Sequence, residues 1–322
     1  MRNSKKFWLL SSVALIIAGS TIFTATACAI GWDFSKFNTT TLETNTYTLH
    51  EDFNNITIDI DTADLTIRPS ENEDCKVVCH EDVKQKHSVI VENGTLTIQE
   101  NDERAWYDYI STGNNDISVT VYLPKTQYTA LSIETHTGDI EIPNGFTFDS
   151  VDISGSTCDV DFSASVANTL SIDISTGDIT LSETTADSIS LTVSTGDINL
   201  NKVAIENALN IKASTGSATL NHVSCKTFTH DSNSGDLKMK NVLVTEKMHV
   251  EQSTGDVEFD HCDAGELYIK TSTGDVKGSL LSGKDFHTDS NTGDVKTPPS
   301  SEGGKCEIHC STGDIHITVI RE

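Results

Sequence analysis

The sequence predicts an all-β fold: a parallel β-solenoid, single-stranded and right-handed, with an N-terminal β cap and an N-terminal membrane helix. Three observations predict it. First, the stretch Ile174-Ser175-Thr176-Gly177-Asp178-Ile179-Thr180-Leu181 recurs, with its glycine position at Gly138, Cys158, Gly177, Gly196, Gly216, Gly235, Gly255, Gly274, Gly293 and Gly313. The spacings are 20, 19, 19, 20, 19, 20, 19, 19 and 20 residues, the mark of a repeat architecture. Second, each copy alternates in period two about the glycine, as in Leu170, Ile172, Ile174 and then Ile179, Leu181. That alternation is a strand with one buried face. Third, a single strand–turn–strand unit cannot bury its apolar face alone, so the copies must stack, one coil per repeat. Ten coils at ~4.8 Å give a rod of ~48 Å.

Taken in order, the chain opens with Arg2, Lys5 and Lys6 before an uncharged run from Phe7 to Trp32. Such a run spans a bilayer, and the flanking charge keeps the N-terminus inside. Residues 1–30 are therefore a membrane anchor or signal segment. Ala25-Thr26-Ala27 offers a signal-peptidase site and Cys28 a lipidation site, so a secreted protein or a lipoprotein is the alternative. All three readings export the rest of the chain. Residues 31–46 read as a polar, Thr-rich stalk.

Residues 47–130 read as a degenerate first coil plus a β-rich cap. Ile56, Ile58 and Ile60, a turn at Thr62-Ala63-Asp64, then Leu65 and Ile67 match the repeat. Val89 to Ile98 is a hairpin pattern with Asn93-Gly94 at its turn. Asp102 to Asn115 reads as a loop holding Trp106, Tyr107 and Tyr109, and Ile117, Val119 and Val121 form a strand closed by Pro124. This insertion would cap the unpaired strand edges at one end of the solenoid. Residues 131–322 are the repeats themselves. Ile315, Ile317 and Val319 run almost to the C-terminus, which leaves that edge with little cover.

Charge narrows the function. There are 22 Lys plus Arg against 48 Asp plus Glu, a net of −26. Between Leu131 and Asn201 stand 12 acidic residues and no Lys or Arg. A surface of this sign disfavours nucleic acid and anionic headgroups. Arg is absent between Arg104 and Arg321, and aromatics make up 6%. A polyuronate-cleaving β-helix enzyme would want basic groups to bind and activate its acidic substrate.

The one candidate for a chemical role is the Asp after each glycine: Asp139, Asp159, Asp178, Asp197, Asp236, Asp256, Asp275, Asp294 and Asp314, with Ser217 the exception. As a metal site, a carboxylate ladder would collect Ca²⁺ or Mg²⁺ weakly, both being hard cations that prefer oxygen. As a turn residue, Asp repeats because the turn repeats. One Asp per coil is sparser than in the Ca²⁺-binding nonapeptide solenoids. No other cofactor is indicated. Of the eight cysteines, Cys225, Cys262, Cys306 and Cys310 fall on inward register positions, where free Cys behaves as a small hydrophobe. Cys75–Cys79 and Cys306–Cys310 are each four apart on a strand, ~13 Å, too far to bond within the pair. No Cys-x-x-Cys or paired His spacing suggests zinc. His230 is inward, whereas His222, His249, His261, His287 and His316 are outward.

The Ser-Thr-Gly-Asp copies, Gly31-Trp32-Asp33-Phe34 after the apolar segment, and Val121-Tyr122-Leu123-Pro124 before the first full coil resemble the bacterial putative-adhesin family of β-strand-repeat proteins, a domain of unknown function. The resemblance covers about Tyr47 to the C-terminus, and the copies at Cys158 and Ser217 depart from it. It implies an exported, membrane-tethered rod without an established catalytic site. The leading expectation is a non-enzymatic surface scaffold or adhesion module on the cell membrane, meeting a surface protein or glycan. The alternative is a polysaccharide-processing β-helix enzyme of the cell envelope.

Overall fold

The structure, a computed structural model, describes residues 2–29, 31–32, 41–71, 74–104 and 116–320. Helix α1 (Arg2–Ala29) is 28 residues long, ~42 Å at 1.5 Å per residue. Its Ser11–Ala29 stretch has a mean hydropathy of 1.8, enough in length and composition to cross a membrane. A cleaved signal segment meets the same description. Cys28 is exposed in its last turn.

Strands β1 (Leu42–Leu49), β2 (Asn55–Thr62), β3 (Asp64–Pro69), β4 (Cys75–Asp82), β5 (Gln85–Glu92), β6 (Thr95–Asp102) and β7 (Ser118–Leu123) build the N-terminal end. β1 begins at Leu42, so the segment read as a stalk ends in strand from that residue on. β2 and β3 are the degenerate first coil. They stack in parallel on β8 (Gln127–Thr137) and β9 (Ile140–Ile142), with Ile56 beside Leu131, Ile58 beside Ile133 and Leu65 beside Ile140. On their other edge β6 pairs with β2 and β7 with β3, again in parallel. β4 then joins β7, β1 and β5 antiparallel, and β5 turns into β6 through Asn93 and Gly94, both at positive φ. The free edge of the first coil is thereby paired. The loop expected around Trp106, Tyr107 and Tyr109 lies outside the described residues.

From Gln127 onward the repeats stack in parallel. Leu170, Ile172 and Ile174 sit beside Ile189, Leu191 and Val193, and Ile179 and Leu181 beside Ile198 and Leu200. All of these side chains are buried. Each such Ile or Leu contributes about 1.5–3 kcal/mol when withdrawn from water, so the apolar column is the main source of stability. The glycine corner is closed by close approach. In the Gly196 coil, φ is +146° and an added Cβ would fall under 3.0 Å from the carbonyl oxygen of Gly177.

A second corner lies six residues after the glycine. There Glu183, Lys202, His222, Asn241 and His261 hold φ between 51° and 55° without being glycine. The Cys158 copy shows a different adjustment. Its thiol turns inward into the room left by Gly155, where a Cβ would collide with Cys158 Sγ. Gly155 stands beside Ile174 in the next coil, so one small residue offsets one large one.

The C-terminal end departs from the sequential order. Lys305–Thr312 pairs with Leu267–Thr273 on one side and with Asp285–Thr292 on the other. Ile315–Val319 likewise lies between Val276–Leu280 and Val295–Lys296. The last coil in sequence is thus next to last in space, and the Gly293 coil covers it. Ile315 and Ile317 are buried, which corrects the expectation that this edge is bare. The exposed end belongs to the Gly293 coil, where Val295 is 40% exposed. Buried Lys284 pins the reversal, its Nζ donating to Ala264 O at 2.6 Å and Ser282 Oγ at 2.8 Å and pairing with Asp263 at 2.7 Å.

Candidate functional site

The Asp residues do form a ladder, and each has a structural partner. Asp159 Oδ1 accepts the backbone N–H of Asp178 at 2.8 Å, Asp178 Oδ1 that of Asp197 at 2.7 Å, and Asp197 Oδ1 that of Ser217 at 2.7 Å. Ser217 continues the chain through its hydroxyl, which accepts Asp236 N at 3.2 Å. Asp236, Asp256 and Asp275 serve Asp256, Asp275 and Asp314, and Asp314 serves Asp294. One oxygen of each of these carboxylates therefore caps the next turn. Among the described residues, no three carboxylates of the ladder converge closely enough to share an ion.

The cysteines lie where register placed them. Cys225, Cys262, Cys306 and Cys310 are buried, as are Cys75, Cys79 and Cys158, and no disulfide joins any of the eight. Burial pushes the thiols of Cys75, Cys79, Cys225 and Cys306 up to about 12. Without a metal, thiols so placed stay protonated at neutral pH. His230 is buried, which holds its imidazole down at about 4 and therefore neutral. His222, His261, His287 and His316 are exposed and His249 is half-buried.

Two clusters were not legible from spacing. The first is a groove of about 470 Å³ running along the rod from the Gly196 coil to the Gly274 coil. One wall is the row Thr192, Lys212, Asp231, Glu251, Lys270, and the other is Ser194, Ser214, Asn233, Ser253, Ser272. Val193, Ala213, Ser232 and Gln252 form its floor. The floor position holds Ile174 in an earlier coil and turns polar here. Ser232 Oγ and Gln252 Oε1 are buried without a hydrogen-bond partner. An unpaired buried polar atom costs about 1–3 kcal/mol, and these two lie on the inward row with Ile174, closed off from the groove. On the same outer face, the rings of His249 and Tyr268 stack at 4.7 Å with 6° between planes. They stand two residues before Glu251 and Lys270. This arrangement offers hydrogen bonds at coil spacing, charges of both signs and a flat aromatic platform.

The second cluster lies in the N-terminal end, where Cys79, Glu81 and His87 are all buried with their ligand-type atoms within 4.8 Å of one another. It is the one such set of three among the described residues. The lysines also prove unevenly spread. Lys238, Lys240 and Lys277 border one further cavity beside Glu258 and Asp260, with Lys238 and Lys277 paired to Asp236 and Asp275.

A family profile described as Toastrack DUF4097 matches residues 53–259 and 205–322. Among solved structures, a putative adhesin from Parabacteroides distasonis superposes with a TM-score of 0.50 at 13% identity, covering 87% of this chain and 98% of its own. A putative adhesin from Parabacteroides merdae gives 0.52 at 14% identity, with 74% and 95% covered. At such identities the likeness shows the fold. No curated protein matches the chain.

Proposed function

The chain belongs to the Toastrack DUF4097 family, and from that premise we propose that it is a membrane-tethered extracellular rod acting as a non-enzymatic adhesion or scaffold module. Helix α1 is the tether, with the N-terminus inside, as Arg2, Lys5 and Lys6 favour. The groove from Thr192 to Ser272 carries the reading. It repeats the same side-chain positions coil after coil, which suits an extended ligand held at many weak points rather than a single reacting atom. Its Ser and Asn wall, its charges of both signs and the His249–Tyr268 stack fit a hydroxyl-rich chain, a surface glycan. The names borne by the two Parabacteroides proteins agree with this reading.

The test presents the full-length chain in lipid nanodiscs to a glycan array. Lys212→Glu/Lys270→Glu and Tyr268→Ala variants are run in parallel, each checked for unchanged unfolding. Binding to an extended saccharide that these variants weaken supports the proposal. Absence of binding across the array, or binding indifferent to all three changes, overturns it.

A further inference from the structure

The buried cluster in the N-terminal end has the composition of a metal centre. Cys79 lies in β4, beside Asn45 of β1 and Val119 of β7. Glu81 is two residues on and faces the same way, and His87 comes from β5 across the tight turn. The side chains of Glu81 and His87 have no exposure at all. Glu81 Oε2 accepts from the His87 backbone N–H at 2.6 Å and meets His87 Nδ1 at 2.7 Å, while Glu81 Oε1 accepts from Asn45 Nδ2 at 2.7 Å. The other ring nitrogen, His87 Nε2, has no hydrogen-bond partner. Glu100 Oε2 of β6 stops 3.9 Å from that nitrogen, too far for a hydrogen bond.

Both Glu81 and Glu100 are withdrawn from water here, and Glu100 is already bonded, its oxygens accepting the backbone N–H groups of Asp61 and Thr62 and the side-chain amide of Gln85. A divalent cation lodged between Cys79 Sγ, the Glu81 carboxylate and His87 Nδ1 would replace the Glu81–His87 side-chain hydrogen bond by coordination. Sulfur, nitrogen and oxygen donors together exclude a preference for calcium or magnesium and match zinc, which binds thiolate, imidazole and carboxylate at about 2.0–2.3 Å. To reach a tetrahedral arrangement the 2.7 Å Glu81–His87 contact would open and Cys79 would close on both, a side-chain adjustment.

We propose that Cys79, Glu81 and His87, through its Nδ1, form a structural zinc site. Binding replaces the Cys79 thiol proton and any proton on the ligating His87 nitrogen, and releases them to solvent. The three residues come from β4 and β5, so the ion would clamp those two strands to one another, and β5 is paired with β6. β6 is in turn the partner of the first coil. The site would set how firmly the end of the rod is closed.

The experiment uses the full-length chain, purified in detergent from zinc-supplemented cells and dialysed. Elemental analysis should find about one zinc per chain, and EDTA should lower the melting temperature reversibly. Cobalt(II) loaded in place of zinc should show a thiolate charge-transfer band. Cys79→Ser and His87→Ala should each lose the metal and the band, whereas Cys306→Ser, a buried thiol at the far end, should keep both. Metal content of the parent is read without any variant, so a misfolded variant does not rescue the idea. Substoichiometric zinc in the parent with a melting temperature indifferent to zinc and EDTA overturns the proposal. So does stoichiometric zinc that survives both ligand changes.

Discussion

Replacing Gly196 by Ala tests the account of the solenoid corner most directly. Gly196 combines a φ of +146° with a Cβ position under 3.0 Å from Gly177 O. Holding a residue with a side chain in such backbone space costs about 1–3 kcal/mol. The overlap with the neighbouring carbonyl adds a second cost, because the two coils must separate. Separation strains the bonds Gly177 N–H to Thr195 O at 3.0 Å and Ile179 N–H to Asp197 O at 2.9 Å. Each backbone bond contributes a net of about 1 kcal/mol, so the total loss expected is about 3–5 kcal/mol. Gly94 supplies the comparison. Its φ is +76°, but an added Cβ there meets nothing within 4 Å. Gly94→Ala should therefore cost only the conformational part, about 1–2 kcal/mol. Urea unfolding followed by circular dichroism compares the two. Equal losses at Gly94 and Gly196 would refute the reasoning, since they would leave coil-to-coil contact without effect.

Three further outcomes are expected. Gly155→Ala should destabilise by about 1–3 kcal/mol through collision with Cys158 Sγ. Adding Cys158→Gly should recover most of that loss in a double-mutant cycle, and additive losses would show that the two residues are not coupled. His230, held near 4 by burial against 6.5 when exposed, stays neutral in the fold while the unfolded chain takes up a proton. Stability should therefore fall as pH drops below 6.5 and level off below about 4. The full effect is about 3 kcal/mol, and His230→Val should abolish that part of a pH-dependent melting profile. Asp178→Asn with Asp197→Asn keeps the accepting oxygens and removes two charges. That variant should be no less stable, with a smaller stabilisation by NaCl. A large calcium-specific rise in melting temperature of the parent at fixed ionic strength, lost in the variant, would instead make the ladder a cation site.

The glycine corner was legible because φ near +140° admits almost nothing else, so the period appears in plain sequence. The inward rows were legible for the same kind of reason. A strand with one buried face must alternate, and Leu170, Ile172 and Ile174 do. The second corner was not, because Glu183, Lys202, His222, Asn241 and His261 adopt φ near 53° at a cost that stacking outweighs, and only the two His share a residue type. The exchange of the last two coils was also hidden, since both carry Thr-Gly-Asp and either order satisfies the local pattern. A signal did exist. The inward row of the Gly293 coil is Phe286, Thr288, Ser290, while that of the Gly313 coil is Cys306, Ile308, Cys310. A coil with a half-polar inner face belongs at the end, where one side meets water. The groove floor and the Cys79–Glu81–His87 cluster escaped spacing rules for a common reason. Neighbours in a stacked sheet come from residues 19 or 20 apart, or from opposite arms of a hairpin, and no short motif records that.

The Asp ladder shows how magnitudes separate a designed charge from a designed acceptor. Adjacent carboxylates one coil apart repel by about 0.8 kcal/mol at water's dielectric, and less once physiological salt screens them. A backbone N–H bonded to a charged acceptor returns about 1.5–3 kcal/mol. The bond therefore outweighs the repulsion at every step, and a run of like charges is tolerated along the rod. Ser217 sharpens the point. It has no charge, yet its hydroxyl accepts Asp236 N at 3.2 Å and the stack passes through it without a break. What the corner requires is an oxygen aimed at the next turn. The negative charge follows from the residue that supplies it most compactly.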